Sequence, residues 1–136
     1  MTDLRLGYFA DFLSRNTLLV SGDEQELMRL SNVLREFAIG TNRRLLLGTV
    51  YVAETRLRRE LWAELAEKPT NALTTPDAGV WSWRRTAEGW KDAADLIDGI
   101  AGAASPCHQF LDDDGNSMVM VSKGEYGDSW WSAHAS

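Results

Sequence analysis

An apolar run that leads directly into an amphipathic helix constrains the fold more than any other feature of this sequence. Residues 17–21 form a short apolar segment typical of a strand, and Gly22 follows it at once. Over 23–39, apolar side chains recur at steps of three and four residues, which predicts a helix with one buried face. A strand that continues into such a helix favours a protein in which helices pack on a sheet.

Polar residues and a glycine mark the two ends of this predicted helix. Ser21 and Glu24 have the spacing of a capping box, in which the serine hydroxyl accepts a free amide and the glutamate bonds back to the cap. Gly40 suits a left-handed residue just after the helix. The predicted apolar face consists of Leu27, Leu30, Val33 or Leu34, and Phe37.

The same order of strand and helix recurs in the second half of the chain. Residues 80–84 alternate so that Trp81 and Trp83 share one face of a predicted strand. Thr86 can then cap a helix over 87–101. The two halves share no residue pattern, so both duplication and coincidence remain open.

The remaining segments complete a mixed pattern. Alternation predicts a strand over 4–9, and residues 45–53 predict another, in which Gly48 indicates a bulge or a close approach of another backbone. Leucines at every fourth position among charged residues predict a helix over 54–68.

An acidic hairpin and a tryptophan-bearing tail end the chain. Residues 107–111 and 117–122 flank the turn 112–116, whose Asp-Gly pair is typical of a hairpin. We expect the tail, 123–136, either to be extended, so that Trp130 and Trp131 point in opposite directions, or to fold back and cover the sheet.

These elements predict one α+β domain over 1–136. The chain has 136 residues and 44% hydrophobic residues, the size and apolar content of an ordinary globular domain. We expect a mixed, largely antiparallel sheet, two or three helices packed on one face, and a C-terminal β-hairpin. The turn-rich stretch 69–79 is the one place where a subdivision is expected.

Charge divides unequally along the chain and indicates the kind of partner. Residues 69–136 hold four basic and ten acidic side chains, whereas 1–68 are balanced, so the net charge of −6 lies in the second half. This distribution argues against nucleic-acid binding and favours a basic protein partner. The absence of an export signal, a membrane span and a second cysteine predicts a cytoplasmic protein without membrane contact.

The sequence holds no catalytic or cofactor motif. Cys107 and His108 are neighbours on a predicted strand and should face opposite sides, and a catalytic pair would need His134 from the tail. A calcium loop beginning at Asp112 fails because Ser117 and Lys123 stand where glycine and glutamate are required. We therefore expect no metal, no cofactor and no enzymatic activity.

Aromatic residues beside carboxylates provide the candidate site. Five of the six tryptophans lie in the acidic half, and tryptophan and tyrosine dominate protein-binding hot spots. The candidate partner-binding residues are Trp81, Trp83, Asp112, Asp113, Asp114, Glu125, Tyr126, Asp128, Trp130 and Trp131.

These features favour a small acidic module that neutralises a basic partner, such as the immunity protein of a toxin. A carboxylate-rich surface can occupy a cationic cleft and associate quickly through charge. The alternative is an enzyme or small-ligand domain whose aromatic-lined pocket uses His108, Glu125, Tyr126 and Asp128. The sequence does not predict an oligomeric state.

Overall fold

The computed structural model describes residues 4–12, 15–52, 57–68, 73–77, 79–113 and 117–135. Within these ranges the strands are β1 (Arg5–Phe12), β2 (Arg15–Ser21), β3 (Arg44–Val52), β4 (Leu57–Leu65), β5 (Leu73–Asp77), β6 (Val80–Arg85), β7 (Cys107–Asp113) and β8 (Ser117–Lys123). The helices are α1 (Glu24–Ile39), α2 (Ala87–Gly102) and α3 (Asp128–Ala135). None of these helices is long and apolar enough to cross a membrane.

The strands form one mixed sheet in the order β5-β6-β4-β3-β1-β2-β8-β7. Four antiparallel pairs, each of two consecutive strands, alternate with three parallel pairs. The predicted α+β class is confirmed, and the sheet is less antiparallel than expected because the four hairpins join side by side through parallel contacts. The sheet also continues across the stretch 69–79, since β4 pairs with β6.

The helices cover both faces of the sheet, so the prediction of helices on one face is only partly correct. Helices α1 and α2 pack together on one face, where they enclose the main core. Leu18 and Val20 of β2 enter that core, whereas Leu19 between them contacts Trp131 of α3 on the other face. Side chains alternate along a strand, so one apolar strand serves two separate cores.

The ends of α1 differ in detail from the prediction. Asp23, not Ser21, is the N-cap, and its carboxylate accepts from the Glu26 amide at 2.8 Å while Glu26 accepts from the Asp23 amide at 2.9 Å. Ser21 still belongs to β2, which places the capping box two residues later. Gly40 has a φ of −84°, so the predicted left-handed cap is wrong. The predicted Thr86 cap of α2 is confirmed by its bond from the Gly89 amide at 3.0 Å.

Residues 57–65 form a strand, so the helix predicted over 54–68 is wrong. A spacing of four is compatible with a strand as well as a helix, because residues two and four apart share a strand face. Leu61, Ala63 and Leu65 contact the main core. Hydrogen bonding to β3 on one side and β6 on the other fixes β4 inside the sheet. Strand β5 lies in the stretch predicted as a linker.

The predicted bulge at Gly48 is confirmed. The register between β3 and β4 shifts between Leu46 and Gly48, and Gly48 has a φ of 145°. A non-glycine residue is strained at such a φ, so this position requires glycine.

Candidate partner-binding surface

The chain ends in a helix and not in the extended tail that the sequence predicts. The Trp131 amide donates to the Gly127 carbonyl at 3.1 Å at the start of α3. Adjacent residues on a helix are about 100° apart, not opposite as on a strand. Trp130 and Trp131 can therefore both contact the sheet, and the predicted division into one inward and one outward ring is wrong.

Five rings form an aromatic cluster under and beside α3: Phe9, Phe12, Tyr126, Trp130 and Trp131. Trp131 is 6% exposed and packs with Phe9, Leu19 and Met120 as the anchor of the helix. Trp130 is half-buried, and its ring centroid lies 5.1 Å from Phe9, 6.0 Å from Phe12 and 4.6 Å from Tyr126. The two tryptophans thus differ in burial although they share one cluster.

Gly7 of β1 allows α3 to approach the sheet closely. A Cβ at this position would lie 2.8 Å from Cζ3 of Trp131 and 2.7 Å from Cε2 of Phe9. Both atoms belong to packed rings, so a side chain would displace them. The absence of a side chain at Gly7 therefore allows Trp131 to pack closely against β1.

Three predicted polar residues lie near the N-terminus of α3. The Asp128 side chain is 80% exposed and forms an ion pair with Arg5 of β1. Glu125 accepts from the Ser122 hydroxyl at 2.6 Å and lies 2.9 Å from Nδ1 of His108. Burial, with a smaller effect of the neighbouring Glu125 charge, raises the pKa of Tyr126. Asp128 is thus the exposed carboxylate beside the cluster.

The acidic residues of the β7–β8 turn lie at the other end of that hairpin. Asp112 accepts a hydrogen bond from Nε1 of Trp83 at 2.7 Å, and this bond connects its carboxylate to the main core. Asp113 forms an ion pair with Arg15 of β2. Asp114 lies outside the described residues. Asp112 is thus engaged by Trp83, and Asp113 by Arg15, which lies opposite Phe12 of the aromatic cluster in the β1–β2 pair.

Trp81 and Trp83 are part of the main core. Trp83 is 1% exposed and lies in edge contact with Trp90, with ring centroids 4.7 Å apart. Trp81 packs on Tyr8 at 4.2 Å. Their strand alternates as predicted, but both point toward the α1–α2 layer. Both rings are therefore buried in the main core of the free protein.

Trp62 is an aromatic residue on the face of β4 that points away from the main core, and it was not among the predicted site residues. Trp62 is half-buried, the guanidinium of Arg44 lies 4.3 Å from its ring centroid, and its Nε1 donates to Glu60 at 3.3 Å. It was overlooked because the segment reads as a helix. The alternation of Glu60, Trp62 and Glu64 with apolar residues was the signal for a strand with one polar face.

Among the described residues, the catalytic candidates Cys107 and His108 have separate contacts. Sγ of Cys107 lies 3.7 Å from the Ile100 carbonyl beside the main core, whereas His108 contacts Phe110 and Glu125. The side chain of His134 lies outside the described residues. Across the described ranges, no three His, Cys, Asp or Glu side chains are close enough to hold a metal ion.

A groove of about 770 Å³ runs beside α3, between the helix and the open face of β3 and β4. We call it the α3 groove, and its lining includes Arg5, Tyr51, Arg58, Asp128 and Trp131. A smaller groove of about 180 Å³ on the other side of Asp128 includes Tyr126. Neither His108 nor Glu125 lines these two grooves.

Comparison with known proteins yields no relative. No protein-family model matches this chain, and no curated protein or solved structure matches it either.

Proposed function

We propose that this protein is a small protein-binding module that neutralises a basic partner, in the manner of a toxin's immunity protein. The observation that carries the proposal is the half-buried Trp130, supported from below by Phe9 and from the side by Phe12 and Tyr126. A large ring held rigidly by others has little conformational entropy to lose on binding. That is the property of a hot-spot residue.

Charge beside the aromatic cluster supports a basic partner. Asp128 is exposed at the N-terminus of α3, two residues before Trp130. Glu88 and Asp92 are exposed carboxylates on α2, on the other face of the sheet, and add to the negative field of the second half. An acidic protein attracts a cationic one at long range, and this attraction raises the association rate at low salt.

The protein inhibits its partner if it covers the partner's cationic cleft. A toxin that acts on an anionic substrate needs a basic cleft, and an acidic, aromatic surface competes for that cleft without performing any reaction. The proposal places this event in the cytoplasm, where the partner would be neutralised.

The alternative, an enzyme or ligand pocket around His108, Glu125, Tyr126 and Asp128, has less support. His108 and Glu125 contact each other but lie off the α3 groove. Tyr126 and Asp128 share the smaller groove. Among the described residues, neither of the two grooves has all four of these side chains around it.

A comparative capture experiment tests the proposed function. The parent, Trp130→Ala and Trp62→Ala are immobilised separately and exposed to native lysate at low salt, and bound proteins are identified by mass spectrometry. Trp62 is the matched control because it is also half-buried but lies on β4. We expect a basic protein that the parent and Trp62→Ala retain and Trp130→Ala loses, with affinity reduced about 30-fold.

Two results would contradict the proposal. One is the recovery of the same proteins on all three columns, because Trp130 would then contribute nothing specific. The other is a complex whose association rate is indifferent to salt, because a basic partner would then not be recognised by charge.

A further inference from the structure

The α3 groove has the dimensions and walls of a small-molecule site. Its volume of about 770 Å³ falls within the range of ligand pockets, roughly 300–1,000 Å³. Tyr51 of β3 and Trp131 of α3 contribute aromatic surface to it. The groove lies on the sheet side of α3 and does not include Trp130, so it is distinct from the surface proposed for the protein partner.

The charge of this groove differs in sign from that of the protein. Two arginines, Arg5 and Arg58, line it together with one carboxylate, Asp128, whereas the whole chain has a net charge of −6. Asp128 pairs with Arg5. Within the described ranges, no carboxylate forms an ion pair with Arg58. Arg58 therefore has donors left for an anion.

Aromatic rings hold both guanidinium groups in place. The Cζ atom of Arg58 lies 4.7 Å from the centroid of the Tyr51 ring, and its Nη2 donates to the Tyr51 hydroxyl. The Cζ atom of Arg5 lies 5.9 Å from the centroid of a Trp131 ring. An arginine fixed over a ring keeps a planar fork of donors that matches carboxylate or phosphate, and little freedom is lost on binding.

From this arrangement we propose that the α3 groove binds a small planar aromatic molecule that bears a carboxylate or phosphate group. The anionic group contacts Arg58, and the ring packs against Tyr51, beside the small exposed part of the buried Trp131. The inference does not depend on the proposed protein partner, because Arg58 and Tyr51 line the groove and are not part of the surface around Trp130, although Asp128 and Trp131 lie beside both.

Phenyl phosphate is the probe that contains both parts of this ligand. Inorganic phosphate and phenol supply each part alone. Binding is followed on the isotope-labelled full chain by NMR, through the Arg58 side chain and the Trp131 indole N–H, with each probe raised to about 10 mM. A fragment of this size should bind with a dissociation constant of about 1 mM.

Two arginine substitutions separate the groove from general charge effects. Arg58→Gln should weaken phenyl phosphate binding about tenfold, because a charge-assisted bidentate contact is lost. Arg84→Gln is the matched control, since Arg84 is also exposed but does not line the groove. Its binding should remain that of the parent. Both positions are exposed, so neither change should impair folding.

The proposal is supported if phenyl phosphate saturates both signals and each half-probe binds more weakly. It is overturned if no saturable shift occurs, if phenol alone binds as tightly, or if Arg58→Gln and Arg84→Gln have the same effect. The first result would mean that no site exists, and the other two that the anion is not recognised in this groove.

Discussion

At the scale of single residues, Trp130 and Trp131 perform different tasks in one cluster. Trp131 is buried between α3 and the sheet, whereas Trp130 is half-buried and contacts Phe9, Phe12 and Tyr126. We expect Trp131→Ala to cost about 3 kcal/mol of unfolding free energy through lost core contacts. Trp130→Ala should cost about 1 kcal/mol, the value of aromatic contacts at a half-buried ring. Thermal denaturation of both variants measures this, and equal losses would show that α3 packs as one unit without a free face.

Asp98 gives a pH-dependent contribution that can be isolated. Burial alone would raise its pKa, but hydrogen bonds from Ser31 and Arg35, together with the Arg35 charge, outweigh burial and lower the pKa of Asp98. Because the folded-state pKa is depressed, the stabilisation is present above the unfolded-state pKa and is lost as the pH falls through the folded-state pKa. It links α1 to α2 at neutral pH.

Comparison of Asp98→Asn with the parent tests this linkage. At pH 7 the variant should melt at a lower temperature, and the difference should shrink as the pH falls below about 4, the ordinary aspartate pKa. Asp92→Asn is the control, because Asp92 is an exposed carboxylate of the same helix. A melting difference that persists unchanged at low pH would show that the charge of Asp98 does not stabilise the helix pair.

At the scale of elements, glycines with different surroundings make opposite predictions. Gly7→Ala should destabilise the protein by about 1–3 kcal/mol, because the new Cβ meets the packed rings of Phe9 and Trp131. Gly99→Ala should stabilise it by about 0.5 kcal/mol, because a Cβ at this position in the last turn of α2 meets nothing within 4 Å. Chemical denaturation of the two variants should give shifts of opposite sign. Shifts of the same sign would contradict the close packing of α3 on β1.

Elements were predictable where a local pattern has one interpretation. Helix α1 and helix α2 follow from their apolar spacing, and the β7–β8 pairing from the turn between them. The strand over 57–65 was not predictable, because leucines spaced four residues apart are compatible with both a helix and a strand. Hydrogen bonding to β3 and β6, distant in sequence, decided between the two, and no local pattern carries that information.

At the scale of the whole molecule, the sequence indicated a mixed α+β fold but not which face each helix covers. Two strands with uninterrupted apolar runs, β2 and β8, are buried on both faces, and such strands require a second covering layer. That layer is α3. The apolar pattern of the tail is too short and too irregular to predict this helix. The candidate site changed for the same reason, since Trp130 gained ring neighbours while Trp81 and Trp83 were enclosed by the other layer.

Charge predicts a property of the intact molecule and its complex. The negative field of the second half should accelerate association with a basic partner, so the association rate should fall about tenfold or more between low and physiological salt. The dissociation rate should change little, because it depends on the packed rings. Stopped-flow measurements at several salt concentrations separate the two rates, and a salt effect confined to dissociation would contradict steering by charge.

The most direct test of the account is a hydrogen-exchange map of the complex with the captured basic partner. We expect new protection at the N-terminus of α3 and in the preceding turn that holds Tyr126, with none over the outer surface of α1. Protection confined to α1 or to the edge strand β5, with α3 exchanging as in the free protein, would show that Trp130 and its aromatic cluster are not the surface that the partner binds.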